Sequence, residues 1–301
     1  MKYVLRKATL GCEPEIEISQ ETYVNLLNAR NVLRTAFASE EKYEIVILNF
    51  LDLEKQLLEI AMTMSIRASK YLDLSDFRLL LNARLLNLLS AARLYLDQTS
   101  KLLKSGGNGQ KDFESLFAKW CSSEYDQHFE YRFMEALRNH VQHRGLAIDD
   151  VHFKTRKTSA TLDANFEVSL CISAQKSSLV DASDFKQKVL CEMPDEVDLM
   201  VAVSRYMECL SVIHTHLRDA MSATVINARA VIESARKEYS QIHGGKLTNL
   251  RAFALNDGQV NSSIALLLDW DDVRIKLERR NKKLDGLSRS YVSNRLFARS
   301  S

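Results

Sequence analysis

The chain has 301 residues, 46% of them hydrophobic and 27% charged, and 41 Lys and Arg against 39 Asp and Glu leave a formal net charge of +2. That balance excludes a disordered chain, which lacks the apolar content for a core, and a polycation that coats nucleic acid by charge alone. Only 2 Pro and 9 Gly occur, which favours long helices over a turn-rich β fold.

The first dozen residues read as a strand or an ordered lead-in. Ser19 is placed to cap a helix to about Phe37, with Val24, Leu27, Val32 and Leu33 on its apolar side. Ser39-Glu40-Glu41 looks like a second start, for a helix to about Arg67. Its apolar positions Val46, Phe50, Leu53, Leu57, Ile60 and Met64 alternate steps of four and three, which keeps them on one face. Asp73-Leu74-Ser75-Asp76 opens a third helix, to about Leu103, with a stripe through Leu81, Leu85, Leu88, Ala92 and Leu96. Gly106-Gly107-Asn108-Gly109 then breaks the chain. No Lys-Ser/Thr follows these glycines, so they make a loop and not a phosphate cradle.

A short helix is expected over Asp112 to Trp120 and a stronger one over Tyr125 to Arg144, ended by Gly145 with Leu146 as the apolar contact of a glycine cap. The period then drops to two. Val151 to Arg156 and Phe166 to Ile172 predict a β-hairpin turned around Leu162-Asp163-Ala164-Asn165. After Pro194, Asp195 to Ile242 holds no Gly or Pro and predicts one helix of about 70 Å, stopped by Gly244-Gly245. Shorter helices are expected over Asn261 to Leu268 and Asp269 to Leu284. The expected fold is an all-α helical bundle with a small β-hairpin insert and a long-helix C-terminal half. Its domains would be residues 1–148, 149–180 and 181–301.

Five cysteines (Cys12, Cys121, Cys171, Cys191 and Cys209) form no Cys-x-x-Cys, so neither a zinc site nor a disulfide framework is expected. The start Met1-Lys2-Tyr3-Val4-Leu5-Arg6-Lys7 lacks the apolar stretch of a signal peptide. Apolar runs such as Ile45 to Leu48 fall far short of the roughly 20 residues of a membrane span. A soluble cytoplasmic protein with no membrane contact is the expectation.

The segment from Tyr125 to Arg144 carries the chemistry. At about 100° per residue, Arg132, Glu135, Asn139 and His143 share one polar stripe, while Phe133, Leu137 and Val141 lie on the opposite, burying side. Arg138 sits on the flank, about 140° from His143. A long side chain reaching into a shared groove, or a neighbouring copy of the same helix, would bring the two groups together. Cations in a last turn also complement the helix dipole, which explains His143 and Arg144 without any chemistry.

Arg138-Asn139-His140-Val141-Gln142-His143 resembles the signature of the HEPN superfamily, an Arg, often followed by a polar residue, and then a His after four to six positions. The resemblance extends over about Ser39 to Leu146, including the long helices upstream. It implies an HEPN-like N-terminal half, a homodimer with two motifs in one cleft, and a metal-independent endoribonuclease of the toxin or defence type. His143 would act as general base or acid, Arg138 would hold the scissile phosphate and Asn139 would orient one of them. Arg132, His140 and Arg144 would contact RNA. No cofactor is implied, and any antitoxin or regulatory partner would be a separate protein. A subset of these toxins carries a modifiable Tyr two residues after the motif His. Gly145 stands there in this sequence, so silencing by that modification is not implied.

His140 and His143 with Asp126 or Glu130 do not reach a recognisable metal-ligand spacing, and no metal is assigned. His214 and His216 point about 200° apart, as separate structural or surface residues do. Trp120 and Trp270 read as packing residues. From Val273 to Ser301 there are nine cations, among them Arg274, Arg279, Arg280, Lys282 and Lys283, against two acids. That stretch is a solvated tail or an electrostatic contact to an RNA backbone. The alternatives to a nuclease are a non-catalytic RNA- or protein-binding scaffold or sensor, and a purely structural helical protein.

Overall fold

The computed structural model describes residues 1–9, 14–67, 71–105, 111–157, 166–180, 185–244, 247–290 and 292. The elements run β1 (Lys2–Lys7), β2 (Ile16–Glu17), α1 (Gln20–Ile66), α2 (Tyr71–Ser105), α3 (Lys111–Gln127), α4 (Phe129–His143), β3 (Asp150–Lys157) and β4 (Phe166–Gln175). They continue with α5 (Lys176–Leu179), α6 (Gln187–Glu192), β5 (Glu196–Asp198), α7 (Leu199–His243), β6 (Leu250–Asn256), β7 (Gln259–Ala265) and α8 (Asp269–Arg280). The protein is mostly helical, but its described residues also form one four-stranded and one three-stranded antiparallel sheet. An all-α description with a single hairpin is therefore too narrow. No helix among the described residues is long and apolar enough to cross a membrane.

The chain divides into two compact units. One comprises Met1–Glu44, Leu96–Ala118 and Thr215–Lys282. Its sheet has the order β2-β1-β6-β7, with β1 pairing along its full length to β6, from Lys2 opposite Leu255 to Lys7 opposite Leu250. Asn261 to Leu268, expected as a helix, is largely strand β7. Asp257 and Gly258 both have positive φ (50° and 80°) and join β6 to β7 as a two-residue turn, flanked by the Asn256–Gln259 pair. A turn with two positive φ values matches the right-handed twist of paired strands, and Asp-Gly is among the sequences that form it most readily.

Within this unit, Ser19 does cap α1: its hydroxyl accepts the Thr22 N–H at 3.0 Å. The second start expected at Ser39 does not occur. The Ser39 hydroxyl donates to the Thr35 carbonyl one turn back, and the helix runs on through it. Glu40, expected as a first-turn acid, is 3% exposed and receives two bonds from the Arg218 guanidinium. Arg274 is likewise internal, bonded to Asp271 and Glu278, and does not belong to a solvated basic tail. Trp270 packs on Phe37. α8 closes at Arg280, short of the expected Leu284.

The other unit comprises Ile45–Tyr95, Lys119–His214 and Lys283–Ser301. Its core takes Leu53, Leu57, Ile60, Leu81, Leu85 and Leu88, most of the two stripes read from the sequence. The expected hairpin is β3 with β4, from Asp150 opposite Ser173 to Lys157 opposite Phe166. Its turn, and the glycines 106–109, Cys12, Arg295 and Arg299, lie outside the described residues. A third strand, β5, adds to β4 where the long helix was expected to have begun. Helix α7 starts at Leu199 instead, because the Asp198 carboxylate accepts the N–H groups of Met200 and Val201. His214 is buried, with its Nδ1 3.0 Å from the Tyr95 hydroxyl, and His216 is exposed, so the two imidazoles are separate as expected.

Candidate functional site at helix α4

Helices α3 and α4 are separate elements. His128 lies between them with extended backbone (φ −120°, ψ 116°), so Tyr125 belongs to α3 and α4 opens at Phe129. α4 buries Tyr131, Phe133, Met134, Ala136, Leu137 and His140. That face is wider than the one the 100° arithmetic assigned, and it includes a histidine expected at an RNA surface. His140 is 6% exposed and meets the Phe185 ring edge-on.

The polar stripe splits along its length. Arg132 is tied down at every edge: Nε and a terminal nitrogen donate to Glu192 of α6 at 3.1 and 2.7 Å, and the other nitrogen donates to the carbonyls of Tyr125 and Asp126. It fastens α4 to the end of α3 and to α6 and is not a free cation. Glu135, one turn on, accepts the Tyr206 hydroxyl at 2.6 Å and pairs with Arg93 at 3.4 Å. Burial, and then the Glu135 charge, hold the Tyr206 and Tyr131 phenols well above their ordinary range. The same two causes push the Cys121 thiol up to about 12.

The last two turns differ. Arg138 is half-buried and donates from one terminal nitrogen to the Asn139 amide oxygen at 2.9 Å. Its buried Nε has no hydrogen-bond partner among the described residues. His143 is exposed in the final turn, and Arg144 is exposed just after it. Among the described residues no acidic group pairs with Arg138 or His143. The Asn139 oxygen thus serves Arg138, while His143 is left to solvent. Within one chain the motif gives a held guanidinium and an open imidazole. Of the basic residues named further on, Arg279, Arg280, Lys282 and Lys283 are exposed, and Arg280 pairs with Glu44.

Gly145 ends α4 for a reason other than a left-handed cap. Its φ is not positive, and Leu146 is 42% exposed, so the expected cap contact is absent. A Cβ at position 145 would lie 2.9 Å from His140 Nε2. Any side chain here would have to shift the imidazole, over which the chain closes.

Asn82 of α2 fixes that closure, and the sequence reading passed over it. Its side-chain oxygen accepts the N–H groups of Ala147 and Ile148 at 2.8 and 2.9 Å, and its amide nitrogen donates to the carbonyls of Arg78 and Ile148. Three of the four bonds of this one buried amide hold the segment leaving the motif. The available signal was a lone Asn in the leucine-rich face of α2, where an amide without partners would be costly.

Three side chains also gather at the opposite end of α4. Glu124 of α3, His128 and Cys209 of α7 place one oxygen, one nitrogen and one sulfur within 4.8 Å of one another. Burial, followed by a hydrogen bond to Glu124, raises the Cys209 thiol above its ordinary range.

No protein-family model matches the chain, and no curated protein or solved structure matches it.

Proposed function

We propose that the protein is a metal-independent endoribonuclease of HEPN type, acting as a homodimer through Arg138, Asn139 and His143 from each copy. The observation that carries this reading is the contrast along α4. Its first half ties Arg132 and Glu135 to neighbouring residues, whereas its last two turns leave Arg138 and His143 without an acidic partner among the described residues. A guanidinium held by a neutral amide keeps its charge for a phosphate. An exposed imidazole at the end of the same helix is the side chain suited to proton transfer near neutral pH. His143 would take the proton from the RNA 2′-hydroxyl, which attacks the adjacent phosphorus as the 5′-oxygen leaves and is protonated. The products would be a 2′,3′-cyclic phosphate, or the 3′-phosphate from its hydrolysis, and a 5′-hydroxyl. The stretch up to residue 148 would carry this activity.

Purified protein incubated with total RNA in EDTA tests the reading. Cleavage with those ends is expected, falling at least about 100-fold in His143→Ala and in Arg138→Ala, with two chains per particle by light scattering. Intact RNA, or cleavage by both variants at the wild-type rate, overturns it. The Arg138 bond to Asn139, made away from His143, favours the second reading, a non-catalytic RNA- or protein-binding scaffold. Salt-sensitive RNA binding that survives His143→Ala without cleavage would select that reading.

A further inference from the structure

We propose that Glu124, His128 and Cys209 bind a divalent transition metal ion of borderline softness, with Zn²⁺ as the ion of best fit. The three residues come from separate segments of one compact unit: the last turn of α3, the link to α4, and the first quarter of α7. Glu124 and His128 stand four residues apart and face each other, with Oε2 and Nε2 3.5 Å apart. The Cys209 sulfur lies within 4.8 Å of both atoms. Ligands around a tetrahedral Zn²⁺, at about 2.0–2.3 Å from the ion, lie roughly 3.3–3.6 Å from one another. The Glu124–His128 edge already has that length, and the two edges to sulfur, at most 4.8 Å, would close toward it around a cation.

Charge favours the same occupant. A carboxylate, a thiolate and a neutral imidazole carry two negative charges, and a divalent ion makes the set neutral. That matters here, since Cys209 is 2% exposed and the Glu124 side chain 12%. On binding, the ion replaces the thiol proton, which passes to solvent. Sulfur and nitrogen donors select Zn²⁺ over Mg²⁺ or Ca²⁺, which take oxygen. The His128 side chain is 29% exposed, which gives the ion an entry path and leaves the fourth position to water. His128 and His143 bracket α4 and are about 22 Å apart along its axis, so this site is separate from the nuclease reading and stands without it.

Cobalt titration of the chelator-stripped full-length protein tests the proposal. About one equivalent of Co²⁺ should bind with the visible bands of four-coordinate cobalt and a near-ultraviolet thiolate-to-metal band, and Zn²⁺ should abolish both. Cys209→Ser should remove the near-ultraviolet band, and His128→Asn should weaken binding more than about tenfold. Cys191→Ser, which alters an exposed thiol elsewhere, should change neither. If Cys209→Ser does not fold, the wild-type spectrum and His128→Asn decide. Absence of the thiolate band in the wild type, or the same affinity in His128→Asn as in the wild type, overturns the proposal.

Discussion

The two ends of α4 carry the same kinds of side chain and put them to opposite uses. At the start, Arg132 and Glu135 are drawn into bonds with Glu192, two carbonyls, Tyr206 and Arg93. At the end, Arg138 has a neutral amide and His143 has water. A polar stripe on a helix is therefore not equivalent to an open face. Its polarity says that partners are needed, and only the neighbouring elements decide whether protein or solvent supplies them.

The sharpest way to break this comparison is to swap the consequences of mutation. His143→Ala should lower RNA cleavage by at least about 100-fold while leaving the melting temperature unchanged. Glu135→Ala should do the reverse. It strands a buried phenol and part of an arginine, at a cost of about 2–4 kcal/mol, read as a lower urea midpoint. Equal destabilisation by both variants would remove the distinction.

Asn82→Ala should fall close behind, costing about 2–3 kcal/mol in the same unfolding measurement by leaving two buried N–H groups without an acceptor. Gly145→Ala should cost about 1–3 kcal/mol, because the added methyl displaces a packed imidazole. A His140→Ala background, in which the methyl has room, should relieve most of that penalty, and a double-mutant cycle measures the relief.

The smallest effect is on alkaline stability. The Cys121 thiol stays protonated in the folded chain up to about pH 12, whereas its ordinary value is 9.0. The unfolded chain therefore releases this proton first. The stabilisation is complete below about pH 9 and is lost progressively between about pH 9 and 12. Replacement by Val should flatten the fall of the urea midpoint across that window.

Long helices were legible because α1, α2 and α7 repeat apolar positions over many turns, and no Gly or Pro interrupts α7. Their starts were less so. Ser39 has the side chain of a cap, but its hydroxyl turns back onto Thr35. Asp198 caps α7 three residues after Asp195, since the intervening residues extend a sheet. The β6–β7 hairpin was readable from Asp257-Gly258 and was masked by the apolar run Ile264 to Leu268, which suits a helix equally well. At the candidate site, Arg138, Asn139 and His143 were singled out by the resemblance of their segment to a family signature. Asn82 and the Glu124–His128–Cys209 triangle were not, because Asn82 and Ala147, and Cys209 and the Glu124–His128 pair, are separated by dozens of residues and meet only through folding.

The tight passage of Gly145 over His140 has an evolutionary corollary. A lineage that acquired a tyrosine at this position, to put the motif under control by covalent tagging, would first have to shrink or rotate the imidazole beneath. Two coordinated changes are harder to reach than one. The backbone at this point thus narrows the routes by which such control could arise.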